Sequence, residues 1–276
     1  MRVVSLGDSF SCGEGVGLRV ELDRTWVGLL VAGLGSEVAD WTPLAVAGAR
    51  VRDVRHRQLA AALALRPELA TVLVGLNDVV RAGFAADDVR ADLREVVHAL
   101  RERGCTVLLV RLHDPSALLP LGPLRRGLSA RVDVLHDAVD ALADRPGVHV
   151  VDLGAVSRLA DRDCWAVDRI HPSTVGHAVV AEAAAAVLER AGLRVRLPAS
   201  TAPAPPPSAA AQVRWLVAHG LPWVAANLRS VALPLLSLAS PASVGARTSQ
   251  RLRQSATATR SASHWAVASR PASTSD

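Results

Sequence analysis

The sequence predicts an α/β protein built on a parallel sheet with helices against both of its faces. Up to about residue 195, short apolar runs alternate with amphipathic stretches of helical length. Those runs are rich in Val and Leu on both faces, as strands covered on both sides must be. The chain has 276 residues, half of them apolar, which suffices for one sizeable domain plus an appendage, or two small ones.

The candidate strands are 2–6, 38–46, 70–74, 105–112 and 148–153. Between them, apolar spacing predicts helices near 25–34, 51–65, 87–103 and 129–143. An Ala-rich helix follows over about 174–191, with Gly192 as its stop signal. Residues 1–195 thus form the expected main domain. The run "PASTAPAPPPSAAA" within 196–211 continues neither helix nor sheet and is expected to be a semi-rigid linker.

Residues 212–240 turn apolar again around Trp215 and Trp223. Arg214, Arg229, Pro222 and Pro234 interrupt that segment and argue against a membrane span. A helical hairpin docked on the domain is the favoured expectation, with peripheral membrane contact as the other reading. Residues 241–276, rich in Ser, Ala, Thr and Arg, are expected to be disordered.

The formal net charge of +5 is unevenly placed. Residues 1–195 carry 23 Arg against 25 acids, and residues 196–276 carry 8 Arg against Asp276 alone. The basic character therefore belongs to the tail, where its scattered arginines argue against a specific nucleic-acid partner. All basic residues are Arg, so a lysine-dependent phosphate loop is excluded. Three cysteines, Cys12, Cys105 and Cys164, show neither a disulfide framework nor metal-ligand spacing. The first strand starts at residue 2, so no leader peptide is expected, and a cytoplasmic monomer is the default.

In a parallel sheet the site lies at the carboxyl ends of the strands, and here those ends hold the informative residues. Gly7-Asp8-Ser9 follows the first candidate strand, Ala47-Gly48-Ala49 the second and Gly75-Leu76-Asn77-Asp78 the third. Asp168-Arg169-Ile170-His171-Pro172 follows the last strand and precedes the final helix. Ester hydrolysis by a serine needs a hydroxyl beside an imidazole, a carboxylate orienting that imidazole, and donors aimed at the developing oxyanion. Ser9 offers the hydroxyl, His171 the base, and Asp168 lies close enough to reach the far ring nitrogen. The N–H groups of Ser9 and Gly48, with the Asn77 side-chain amide, supply three donors. Pro172 fits the first position of the last helix.

Taken singly, each block reads as a turn or a cap; their joint order carries the weight. "LGDSFSCGEGVG", "AVAGARV", "VGLNDV" and "DRIHPSTVGH" together resemble the four blocks of the SGNH hydrolases, the GDSL-type esterase and lipase superfamily. The resemblance runs over residues 2 to about 191. It implies a flavodoxin-like three-layer α/β/α sandwich around a central five-stranded parallel sheet. It also implies metal-free hydrolysis of small-molecule or lipid-like carboxylic esters through an acyl-enzyme, with no cofactor. By that resemblance Ser9 is the nucleophile, His171 the base and Asp168 its orienting acid, while Ser9, Gly48 and Asn77 form the oxyanion hole. The sequence departs from the family where Ser11 and Cys12 follow Phe10, and where Leu44-Ala45-Val46 lacks the Asn often found upstream of the glycine block.

Other assignments fit less well. Gly13-Glu14-Gly15-Val16-Gly17 is not a dinucleotide fingerprint, because its third glycine comes one residue early. His113-Asp114 is a candidate substrate-pocket contact, and Trp165 a candidate pocket wall. His177 reads as structural, and Asp8 as a backbone hydrogen-bonding residue. Cys12 and Cys164 lie near the two halves of the site, though packing fits them better than a redox pair. The contrasting reading for the whole chain is a catalytically silent binding protein with the same fold, targeted to a surface or partner by its basic tail.

Overall fold

The computed structural model describes residues 1–118, 122–199 and 205–232. Its centre is a five-stranded sheet of β1 (Arg2–Gly7), β2 (Asp40–Pro43), β3 (Leu69–Leu73), β4 (Thr106–Arg111) and β5 (Val148–Asp152). The spatial order is β2-β1-β3-β4-β5, and every pairing is parallel. This is the flavodoxin order, in which the chain reverses direction across the sheet between β1 and β3.

Right-handed crossovers leading to opposite sides of that point place helices on opposite faces. Helix Trp26–Leu34 packs against Thr174–Arg190 on one face, and Ala86–Glu102 packs against Gly122–Ala143 on the other. Ala86–Glu102 buries Val89, Leu93, Val96, Val97 and Leu100, the spacing of a single apolar stripe. β3 is buried along its whole length, which explains its unbroken Leu-Ala-Thr-Val-Leu sequence.

The second strand is shorter than the expected 38–46. Pro43 has no N–H to give the ladder, and β2 is an edge strand. The chain nevertheless stays alongside β1, since Leu44 N–H donates to Ser5 O (2.8 Å) and Val46 N–H to Gly7 O (3.1 Å). The fourth crossover helix starts at Gly122, seven residues before the expected 129. Pro123 is tolerated in its first turn, and Gly127 is buried within the helix. The final helix begins at Thr174 with Ser173 as its cap, so Pro172 precedes the helix instead of occupying its first position.

The expected hairpin in 212–240 is a continuing helical run over the described residues. Ala209–Trp215 passes through a π-helical turn, Leu216–Gly220, into Leu221–Ala226, and a further π-helical stretch covers Leu228–Ala232. Trp215, Leu216, Gly220 and Leu221 all keep right-handed helical dihedrals, so the chain does not reverse there. The π turn lies just before Pro222, a residue that cannot donate to the helical ladder. Residues 196–199 and 205–208 have no regular structure, but Arg196 N–H donates to Gly33 O (2.7 Å) and Leu197 packs against the core, while the helix from Ala209 takes up the end of the expected linker. The remainder of the linker, residues 233–240 and the 241–276 tail lie outside the described residues.

Candidate active site

The end of β1 is the foundation of the site. Gly7 adopts φ +143°, and a Cβ there would lie 2.0 Å from Leu73 O, so only glycine fits. Buried Gln58 clasps this residue from the neighbouring helix: Gly7 N–H donates to Gln58 Oε1 (2.8 Å), and Gln58 Nε2 donates to Gly7 O (2.9 Å). Asp8 then caps a single helical turn, Ser9–Cys12, by accepting from Phe10 N–H at 3.0 Å. The cap leaves Ser9 as the first residue of the turn, at the topological switch point of the sheet.

The loop after β5 brings the imidazole to that serine. His171 Nε2 lies 2.9 Å from Ser9 Oγ, and His171 Nδ1 lies 2.5 Å from Asp168 Oδ2. The other oxygen of Asp168 accepts from Ile170 N–H (2.9 Å) and His171 N–H (3.0 Å). Arg169, between them, takes φ +62°, the left-handed conformation that folds the loop back on its own carboxylate. Burial raises the Asp168 pKa, but the His171 hydrogen bond and charge, with the two backbone donors, outweigh it and hold the group below its ordinary value. Gly15 lies against the ring, since a Cβ there would sit 2.9 Å from His171 Nδ1.

The expected donors fall into two kinds. Among the described residues, neither Ser9 N–H nor Gly48 N–H has a hydrogen-bond partner. Gly48 has φ +79°, and its carbonyl, in the peptide unit that follows its N–H, accepts from Arg81 Nη1 at 3.2 Å. Asn77 differs from expectation: its Nδ2 donates to Asp8 Oδ2 (3.3 Å) and Ala49 O (3.2 Å), so both its protons are engaged. Burial raises Asp8 to about 6 and Asp78 to about 7; Asp78 accepts from Val51 N–H at 3.0 Å. Both therefore support the blocks around Ser9 and Gly48.

A family model described as the GDSL-like lipase/acylhydrolase family matches residues 5–179. The chain belongs to this family. Solved structures agree in fold. TesA is 21% identical, with a TM-score of 0.56 over 69% of this chain and 99% of its own. A lipolytic G-D-S-L family protein from Veillonella parvula is 18% identical, also at 0.56, over 68% and 98%. LAE5, an alpha/beta hydrolase enzyme from the metagenome of Lake Arreo, is 25% identical at 0.54, over 68% and 94%. A comparison by sequence with curated proteins finds no match.

Among the cavities around the GDSL-family blocks, two adjoin Ser9 or the Asp168–His171 loop. One of about 120 Å³ is lined by Ser9, Gly15, Leu18, Arg19 and His171. A larger one, about 560 Å³, is lined by His113, Asp114, Leu118, Leu159, Trp165 and Arg169. The second cavity adjoins the loop that carries Asp168 and His171, and His113 and Trp165 face each other there at 4.5 Å between centroids. Burial lowers the His113 pKa to about 4, so the ring is neutral near pH 7. His177 is structural, as its sequence position suggested: it is buried, accepts from Trp26 N–H at 3.1 Å, and burial lowers it to about 3. Cys12, Cys105 and Cys164 are all free. Gln58 and Arg81 escaped sequence reasoning, because neither belongs to a block at a strand end.

Proposed function

We propose that the chain is a serine hydrolase of carboxylic esters, acting through an acyl-enzyme on Ser9. The observation that carries this reading is the continuous line Ser9 Oγ, His171 Nε2, His171 Nδ1, Asp168 Oδ2, with contacts of 2.9 and 2.5 Å. Ser9 Oγ attacks the ester carbonyl carbon as its proton passes to His171 Nε2. The C–O bond to the alcohol then breaks, and the same proton leaves on the departing oxygen. Water repeats the sequence on the acyl-enzyme, with His171 again taking the proton, and releases the acid.

Asp168 holds the tautomer in which Nε2 faces Ser9 and offsets the charge of the imidazolium. The unpartnered N–H groups of Ser9 and Gly48 are the ready donors for the oxyanion. Asn77 joins them by exchanging one of its two long hydrogen bonds for the substrate oxygen. Membership of the lipase/acylhydrolase family supports a hydrolase of this type. The test is hydrolysis of p-nitrophenyl acetate and butyrate by the wild-type chain and by Ser9→Ala. Loss of turnover in the variant is expected. Equal rates in the two proteins would remove Ser9 from the chemistry and leave a fold without its reaction.

A further inference from the structure

The helical run 209–232 is fastened at both rims of the candidate catalytic mouth. At one rim, Arg169 Nη2, two residues before His171, donates to Gln212 Oε1 at 3.0 Å. Trp215 Nε1 donates to Val16 O at 2.8 Å, and the His219 ring lies over Gly17, where a Cβ would come within 2.8 Å of it. At the other rim, Ala82 N–H donates to Ser230 O at 2.6 Å, next to the Arg81 that holds Gly48 O. The run thus crosses from the His171 loop to the loop after Asn77.

Its two sides differ in character. Ala211, Trp215, Trp223 and Asn227 are half-buried, and the π-helical turns lengthen the repeat so that they keep one side. The outer side presents Val213, Leu216, Val217, Leu221, Val224 and Leu228, with Val213 and Val217 each 61% exposed and Leu221 54%. Single exposed apolar residues are ordinary, whereas a stripe of them on one helix is not. Residues 205–232 contain Arg214 and Arg229 and no acid. No helix among the described residues is long and apolar enough to cross a membrane.

We propose that this outer face docks on an anionic lipid surface and holds the domain beneath it there. An apolar stripe flanked by arginines on an acid-free helix suits a surface with acyl chains beneath negative headgroups. The other occupants are less well matched in charge. A second copy of the same face would oppose Arg214 and Arg229 to themselves. Residues 233–276 add Arg247, Arg251, Arg253, Arg260 and Arg270 against Asp276 alone. The docking is independent of the ester-hydrolase reading.

The test is cosedimentation of the full chain carrying Ser9→Ala with vesicles of phosphatidylglycerol and phosphatidylcholine. Vesicles of phosphatidylcholine alone serve as the comparison. Using Ser9→Ala separates the two readings, since binding is then measured without any turnover. The expected result is binding to the anionic vesicles that weakens with added salt. Replacing Val213, Val217 and Leu221 together by Ser should weaken it about tenfold or more, because three exposed side chains lose their insertion. These positions are exposed, so the fold does not depend on them. Three results would each overturn the proposal: no binding to either vesicle, equal binding to both, or undiminished binding of the triple variant. A dimer in sedimentation that the triple variant abolishes would also overturn it, in favour of a second copy.

Discussion

The Gln58 clasp offers the sharpest quantitative test of how the fold presents Ser9. Gln58 is 4% exposed and exchanges two hydrogen bonds, 2.8 and 2.9 Å, with the backbone of Gly7. Gln58→Met keeps nearly the same volume, so little cavity is created. It removes the partner of the buried Gly7 N–H, while Gly7 O keeps its bond from Val46 N–H (3.1 Å). One unsatisfied buried group costs about 1–3 kcal/mol, and the variant should lose that much stability. Urea unfolding with linear extrapolation reads that difference, and an unchanged slope would confirm that the native state stays compact. The same variant should lower kcat more than it raises KM, since Gly7 lies two residues before Ser9. Gln58→Glu separates shape from donor capacity. Ionised, it can accept from Gly7 N–H but turns a charge toward Gly7 O, so its loss should shrink as pH falls and the acid is protonated. A Gln58→Met variant within about 0.5 kcal/mol of wild type, the range of an ordinary surface substitution, would refute the reasoning.

Other perturbations follow from the same geometry. Burial raises Asp78 from an ordinary 3.8 to about 7. The folded state therefore holds this proton more tightly than the unfolded chain, and stability declines as pH rises from about 4 through about 7. Asp78→Asn should flatten that decline, gaining roughly 2 kcal/mol on wild type between pH 5 and 8 in urea midpoints. An unchanged difference at the two pH values would contradict the buried-acid account. Asp168→Asn should lower kcat on p-nitrophenyl acetate by about 10³–10⁴ with little change in KM, because the imidazole loses its orienting carboxylate. A loss under tenfold would show that Asp168 does not hold His171. Gly15→Ala adds a Cβ 2.9 Å from His171 Nδ1. It should lower kcat by up to about 10² without a matching loss of stability, and equal kcat would show that the ring has room to yield.

Much of this architecture is legible in the sequence, for physical reasons that particular residues expose. The Val- and Leu-rich runs leading into Gly7, Val74 and Leu112 mark strands buried on both faces, the run into Leu153 is a partly buried edge strand, and the polar residues just beyond them gather at one edge of the sheet. That is why Ser9, Gly48, Asn77, Asp168 and His171 stand out together in the sequence; of these the fold brings Ser9, His171 and Asp168 into direct contact. Boundaries were less legible. Pro43 shortens the edge strand although the chain beyond it still pairs, and the helix expected from 129 begins at Gly122 with Gly127 buried within it. Supporting contacts were hidden for another reason. Gln58 and Arg81 lie far from Gly7 and Gly48 in sequence, and only the packing of helix and loop reveals them. The amide of Asn77 is likewise committed to Asp8 by a contact across the sheet that no local pattern encodes. The run beyond residue 208 resisted periodic reading because its π-helical turns depart from the repeat of an α-helix.

The central claim is that Ser9, activated by His171, is the nucleophile. The most direct measurement is covalent capture by a fluorophosphonate, with the modified peptide located by mass spectrometry in the wild type and in His171→Ala. The account predicts a single adduct on the peptide containing Ser9, formed in the wild type and slowed by orders of magnitude in the variant. An adduct on a different residue, or equal labelling of Ser9 without His171, would contradict it.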